Sequence, residues 1–176
     1  GEQLRELVEA RHPERTLNRS ELVGLIEAQL DGRSPVQYGV WVYYPWSRRL
    51  VHILGKAEFI ELRTNRNRYK ITQQEQDMLA TKKVGIVGQS VGQSVALTIA
   101  MERSAGEIRL ADFDTLGLSN LNRLRAGVHN LGVPKVYITA REIAEIDPFI
   151  TVKCFPDGVA DDTIDEFLAS GSQLDL

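Results

Sequence analysis

The run Val84-Gly85-Ile86-Val87-Gly88-Gln89-Ser90-Val91-Gly92 decides the fold. Its apolar start reads as a strand buried on both faces, as in a parallel sheet. Gly88 follows the strand directly, where a tight turn needs a residue free of Cβ constraints. Such a turn exposes backbone N–H groups at a helix N-terminus, where an anion is held. The pattern predicts a helix from Gly92 to Arg103, a stop at Gly106 and a second strand over Ile108–Ala111. That strand ends in Asp112-Phe113-Asp114. Asp112 lies 24 residues after Gly88, close to the spacing of about 20 at which a carboxylate holds a ribose. The fingerprint departs from G-x-G-x-x-G at two places. Ser90 and Gln93 stand where glycine is expected, and Gly92 is displaced by one. Ser90 can hydrogen-bond a phosphate, whereas Gln93 is bulky for a close helix–strand contact.

The pattern continues downstream as alternating strands and helices. Pro134 suits the first position of a helix to Ile146, with Val136, Ala140, Ile143 and Ala144 as its apolar face. Ile150–Phe155 reads as a third strand, Asp161-Asp162 as the cap of a helix to Ala169, and Leu174–Leu176 as the start of a fourth strand. The fold expected is α/β: a Rossmann-like parallel sheet with helices on both faces, truncated at its C-terminal side. Upstream, residues 1–32 read as helical, with a capping box at Asn18 and Glu21. Residues 38–54 read as a β-hairpin around Pro45-Trp46-Ser47. A basic segment carries Arg63, Arg66, Arg68 and Lys70, and a second capping box at Thr72 and Glu75 opens a helix to about Ala80. The expected division is a small α+β N-terminal module over residues 1–57 and a nucleotide-binding domain over 58–176.

Of the 176 residues, 43% are hydrophobic and 26% charged, values of a globular protein. Residues 1–70 hold 12 Lys and Arg against 9 Asp and Glu, and residues 71–176 hold 9 against 15. An acidic second part is a poor nucleic-acid footprint. No apolar run approaches the roughly 20 residues of a membrane span. Cys154 is the only cysteine, which excludes an internal disulfide and a four-cysteine zinc site. Its apolar strand context reads as core. His12, His52 and His129 form no ligand pattern. A cytoplasmic protein without membrane or nucleic-acid partners is expected.

Three further motifs belong with the glycine turn. They are Asp112-Phe113-Asp114, Ser119-Asn120-Leu121-Asn122-Arg123 and Gly132-Val133-Pro134-Lys135. In that order they resemble the ThiF-type adenylyltransferases, which include the ubiquitin-activating enzymes. Arg63-Thr64-Asn65-Arg66-Asn67 is similar to that family's R-x-x-R-Q/N segment. The resemblance covers about residues 60–176. It implies that Gly88, Ser90 and Gly92 line the phosphate turn and that Asp112, with Asp114 beside it, holds the ribose. It implies that Asn120 and Arg123 approach the triphosphate and that Lys135 sits near the α-phosphate. Arg66 would reach ATP, often from the other subunit of a dimer. By this resemblance the catalytic residues are Arg66, Arg123 and Lys135.

The implied reaction joins a carboxylate to the α-phosphorus of ATP and releases pyrophosphate. Charge grows on phosphoryl oxygens, so fixed cations stabilise the transition state. The implied substrate is the C-terminal carboxylate of a small ubiquitin-like or sulfur-carrier protein, or of a peptide. Mg²⁺ is implied with ATP, its aspartate ligand expected beyond Leu176, so the chain is expected to be the N-terminal part of a longer protein and inactive by itself. The uncovered sheet edge leads us to expect a homodimer. Two other readings stay open: an NAD- or FAD-binding oxidoreductase domain, and a non-catalytic scaffold of the same fold.

Overall fold

The computed structural model describes residues 1–176, which form two compact units, 1–70 and 71–176. The first unit opens with α1 (Glu2–Arg11) and α2 (Arg19–Leu30). The expected capping box is present. Asn18 Oδ1 accepts from Glu21 N, and Glu21 Oε2 accepts from Asn18 N, both at 3.0 Å. The hairpin follows as β1 (Val40–Tyr44) and β2 (Arg49–Ile53), antiparallel, with Val42 opposite Val51. The next helix, α3 (Lys56–Thr64), runs into a 3-10 turn over Asn65–Tyr69. Residues 60–70 carry no obvious apolar stripe, yet Phe59 and Leu62 pack against Leu4, Leu7, Leu30, Tyr38 and Leu54. That packing joins α3 to the helices and hairpin of the first compact unit.

The second unit starts with α4 (Gln73–Leu79), whose Thr72–Glu75 capping box is formed as expected. Then come β3 (Lys83–Val87), α5 (Gln89–Glu102), β4 (Glu107–Ala111), α6 (Lys135–Ile146), β5 (Thr151–Phe155) and α7 (Ile164–Ala169). The strands form a parallel sheet in the order β3-β4-β5, with Gly85 beside Arg109 and Arg109 beside Lys153. Residues 174–176 lie along the free edge of β3. Asp175 N donates to Lys83 O at 2.9 Å, and Gly85 N donates to Leu176 O at 2.8 Å. The tail therefore takes the place expected of a fourth strand, on the far side of β3 from β4. This is the topological switch point of a Rossmann-like sheet.

Strand alternation sends two kinds of residue to the two faces. Val84, Ile86, Ile108 and Leu110 form one core with Ala96, Leu97, Ala100, Val136 and Ile143 of α5 and α6. The other face carries Gly85, Arg109 and Lys153 and is covered by α7. A Cβ on Gly85 would lie 2.5 Å from Leu174 Cδ1 and 2.9 Å from Phe167 Cζ, so a larger residue there would push both side chains aside.

Arg109 is fully buried. Its guanidinium donates to Phe167 O at 2.6 Å, Ser170 O at 2.9 Å, Ser172 O at 2.6 Å and Glu107 Oε1 at 2.7 Å. Lys153 Nζ adds a bond to Ser170 O at 2.7 Å, and Lys83 Nζ donates to Ser172 Oγ. Cations at the last carbonyls of a helix satisfy orphan acceptors and complement its dipole. Burial works against the charge of Glu107, yet Arg109 and Lys153 hold its carboxyl below the usual range. The expected aspartate cap of α7 does not form. Thr163 occupies the cap position without a side-chain cap bond, and its Oγ1 instead accepts from Ala160 N at 2.8 Å.

Arg109→Met keeps the volume and removes every donor. It is expected to lower unfolding free energy by about 2–4 kcal/mol, because several buried acceptors lose charge-assisted partners. Urea unfolding at unchanged m-value measures this, and a loss below about 0.5 kcal/mol would show that the clamp contributes no more than a surface pair.

Candidate functional site

The chemistry gathers at the C-terminal edge of the sheet, where α5 and α6 begin. Gly88, at φ 83, is the N-cap of α5, so the helix starts three residues earlier than the glycine pattern predicts. Ser90 and Gly92 consequently lie inside its first turns rather than in a loop. Gly92 is the residue of closest approach. A Cβ there would sit 2.6 Å from Ile86 Cγ2. The glycine displaced in sequence thus performs the helix–strand contact, and Gln93 is free of that duty.

Asp112 follows β4 and is only 8% exposed. Its Oδ2 accepts from Gln89 N at 2.6 Å, the first N–H of α5. Its Oδ1 accepts from Asp114 N at 2.8 Å. The carboxylate therefore caps α5 and sets the turn after β4, and each oxygen retains a second lone pair. Gln89 is buried beneath the turn. Its Nε2 donates to Ile86 O at 3.1 Å, and its Oε1 has no partner.

Lys135 is the first residue of α6 and only 4% exposed. A cation at a helix N-terminus opposes the dipole, so its placement needs compensation. Lys135 Nζ donates to Asp114 Oδ2 at 2.6 Å and to Ser90 Oγ at 3.3 Å, and lies 4.0 Å from Asp112 Oδ2. Backbone pairing puts it there. Lys135 N donates to Asp114 O at 3.0 Å, and Leu116 N donates to Val133 O at 2.9 Å. Gly88, Ser90, Asp112, Asp114 and Lys135 are thus brought together.

Asn120 and Arg123 ride on a separate segment, a 3-10 turn over Leu118–Asn122. Its underside is the apolar cluster of Leu116, Leu124 and Ile138. Asn120 Oδ1 accepts from Gly117 N at 2.9 Å, which fixes the turn. The Arg123 guanidinium is exposed and donates to Asn122 Oδ1 at 3.0 Å. Arg66 lies in the first unit, exposed on the 3-10 turn over Asn65–Tyr69.

The glycine fingerprint marks Gln93 only as a bulky departure and gives no signal for Glu142. The structure places both at this edge. Gln93 Nε2 donates to Arg125 O at 3.1 Å and to Glu142 Oε2 at 3.0 Å, and Arg125 N donates to Gln93 Oε1 at 3.2 Å. One sequence signal could have found Gln93. With α5 starting at Gln89, residues 89, 92, 93, 96, 97 and 100 form one buried stripe at helical spacing. Asp175, in the tail beside β3, is engaged away from this edge. It accepts from Lys82 Nζ and Lys83 N, both at 2.9 Å, and these bonds hold its carboxyl below the usual range. No three His, Cys, Asp or Glu side chains gather to hold a metal ion. Beyond β5, Gly158 lines a cleft of about 400 Å³ with Lys153, Phe155 and Glu166. The exposed ring of Phe113 lies against Gly158.

Burial raises Glu142 from 4.5 to about 7, against the Gln93 hydrogen bond and the charge of Arg125, with Glu145 adding to the rise. The folded protein thus keeps a proton that the unfolded chain releases. Its contribution to stability is complete below about pH 4.5 and is lost as pH rises through about 7. Glu142→Gln keeps an acceptor for Gln93 and never ionises. Its thermal midpoint is expected to exceed that of the wild type at pH 8, with the gap closing by about pH 5. Melts across that range test this, and a pH-independent gap would count against it.

The ThiF family profile matches residues 63–176. Over 128 residues the chain is 48% identical to "Uncharacterized protein MT1398" of Mycobacterium tuberculosis (strain CDC 1551 / Oshkosh), covering 73% of this chain and 18% of that protein. Over 91 residues it is 29% identical to ubiquitin-like modifier-activating enzyme 5 of Bombyx mori, covering 52% and 23% respectively. The chain therefore spans about a fifth of the length of these curated relatives. Among solved structures, E. coli tRNA N6-threonylcarbamoyladenosine dehydratase, TcdA, superposes with a TM-score of 0.59 at 25% identity, covering 64% of this chain and 47% of that one. TcdA has also been crystallised with ATP. E. coli MccB with MccA shares the fold over 94% of this chain and 49% of that one, at a TM-score of 0.53 and 19% identity.

Proposed function

The chain belongs to the ThiF family, and from that premise we propose that its second unit binds ATP for an adenylyl transfer that activates a carboxylate. The observation that carries this reading is the buried ammonium of Lys135, held between Asp112, Asp114 and Ser90 where two helices begin. A cation shielded from water acts on nearby charge more strongly than an exposed one. The N–H groups at the start of α5 point to the same edge.

In the proposed reaction a carboxylate oxygen of the substrate attacks the α-phosphorus. The bond from that phosphorus to the bridging oxygen of pyrophosphate breaks, and its electron pair leaves with pyrophosphate. Negative charge develops on the α-phosphoryl and leaving oxygens. Lys135 offers a point charge there, and Arg123 a planar fork suited to phosphoryl oxygens. Asn120 supplies a neutral donor from its Nδ2. No side chain needs to act as nucleophile. Asp112 and Asp114 are committed to backbone N–H groups and to Lys135. No three His, Cys, Asp or Glu side chains gather there to hold a magnesium ion accompanying ATP. The substrate is a carboxylate-bearing protein or peptide. Arg66, on the first unit, is the cation a second copy would contribute in a homodimer. The resemblance to enzymes of this type and the crystallisation of TcdA with ATP support the reading.

Calorimetric titration of the chain with ATP·Mg²⁺ and, separately, with NAD tests the proposal. ATP is expected to bind the more tightly. Arg123→Ala and Lys135→Met are each expected to weaken ATP binding about 10- to 100-fold, the worth of one charge-assisted contact. Tighter NAD binding that ignores Arg123→Ala would overturn the assignment. Sedimentation velocity at high concentration is expected to show a dimer, and a monodisperse monomer would remove the role given to Arg66.

A further inference from the structure

Gln93 is 4% exposed, and its carboxamide spans three elements. It accepts from the N–H and donates to the C=O of one residue, Arg125. Bonding both groups of one residue fixes the position and the rotation of the backbone there. The remaining N–H of Gln93 goes to Glu142 on α6. With two acceptors before Nε2 and a donor before Oε1, only one orientation of the amide satisfies every group. Arg125 stands two residues beyond Arg123. At its start the segment is tied by two backbone bonds, Leu116 N to Val133 O and Gly132 N to Leu116 O, both at 2.9 Å. Beyond them its anchors are the apolar contacts of Leu116, Leu124 and Ile138 and bonds internal to the turn. Apolar contacts are not directional, so at the far end of the segment, beside Arg123, the Gln93 amide supplies the polar constraint from outside the turn.

We propose that Gln93 is a positioning residue that holds the Asn120–Arg123 segment in register with the buried Lys135, so that both cations meet one triphosphate. This rests on reading the edge as a triphosphate site. Gln93 touches no reacting atom and acts through Arg123. At the position where a small residue is expected, the chain carries a side chain long enough to reach the neighbouring loop. Gly92, one residue earlier, takes over the close contact with β3.

The test uses the 176-residue chain with Gln93→Met, which keeps bulk and removes both ends of the fork. Amide hydrogen exchange is expected to speed up about tenfold across residues 117–126 and to stay unchanged in the buried turns of α5 and α6. ATP affinity is expected to fall about 3- to 10-fold, the worth of one or two hydrogen bonds, with AMP affinity unchanged. In an Arg123→Ala background the same substitution is expected to cost nothing further, because Gln93 acts through that side chain. Should the methionine variant fail to fold, Gln93→Asn keeps the amide, shortens its reach and is expected to give the same pattern. Additive losses with Arg123→Ala, equal weakening of ATP and AMP, or unchanged exchange in the segment would each overturn the proposal. Wild-type protein that binds ATP normally while Gln93→Met changes nothing defeats this inference alone. Wild-type protein that binds no ATP defeats the nucleotide reading of the site, and this role with it.

Discussion

The carboxylate of Asp112 is the constraint from which the C-terminal edge of the parallel sheet is built. A nearly buried carboxylate is stable only when its charge and lone pairs are answered, because removing it from water costs several kcal/mol. Three groups answer it: the first N–H of α5, the N–H of Asp114 and, at 4.0 Å, the ammonium of Lys135. Each comes from a different part of the chain. The end of one strand, the start of one helix and the first side chain of the next must therefore meet. The backbone ladder between residues 114–116 and 132–135 follows from the same meeting point.

The edge so formed has a rigid floor and an open rim. Asp112, Lys135 and Gln89 are buried and bonded, so little conformational freedom remains for a ligand to remove. Arg123 and Phe113 are exposed, and ordering their side chains costs entropy on binding. The preorganised part of the edge is therefore its buried floor, where fixed charges act most strongly. The adaptable part faces solvent. Gln93 sits between them, with its amide on the loop and its backbone in α5.

Much of this architecture was legible in the sequence because it follows local rules. Both capping boxes, the hairpin and the strand–helix alternation are set by residues a few positions apart. The acidic strand end and the Asn120–Arg123 and Pro134–Lys135 motifs were legible as a set, and the structure brings Asp112, Asp114 and Lys135 into contact. What escaped depends on distant partners. The helix over Lys56–Thr64 hid behind its charges, since Phe59 and Leu62 find their apolar neighbours only in α1, α2 and the hairpin. The start of α5 was placed too late because Gly92 looked like part of a loop, although its close neighbour is Ile86, on the preceding strand. Arg109 read as an ordinary charged residue on a strand. Nothing local announces that its acceptors lie some sixty residues downstream.

That separation bears on how the chain is made. Arg109 reaches its carbonyl partners across 58 to 63 residues of sequence. At a synthesis rate of about 5–20 residues per second, they emerge from a ribosome roughly 3–12 s after the strand that needs them. Through that interval the guanidinium has only Glu107 and water to bond, and the sheet face around it stays hydrated. The opposite face, apolar and served by α5 and α6, can close earlier. The second unit is thus built to mature one side at a time, with a hydrated arginine keeping the waiting side soluble until α7 arrives.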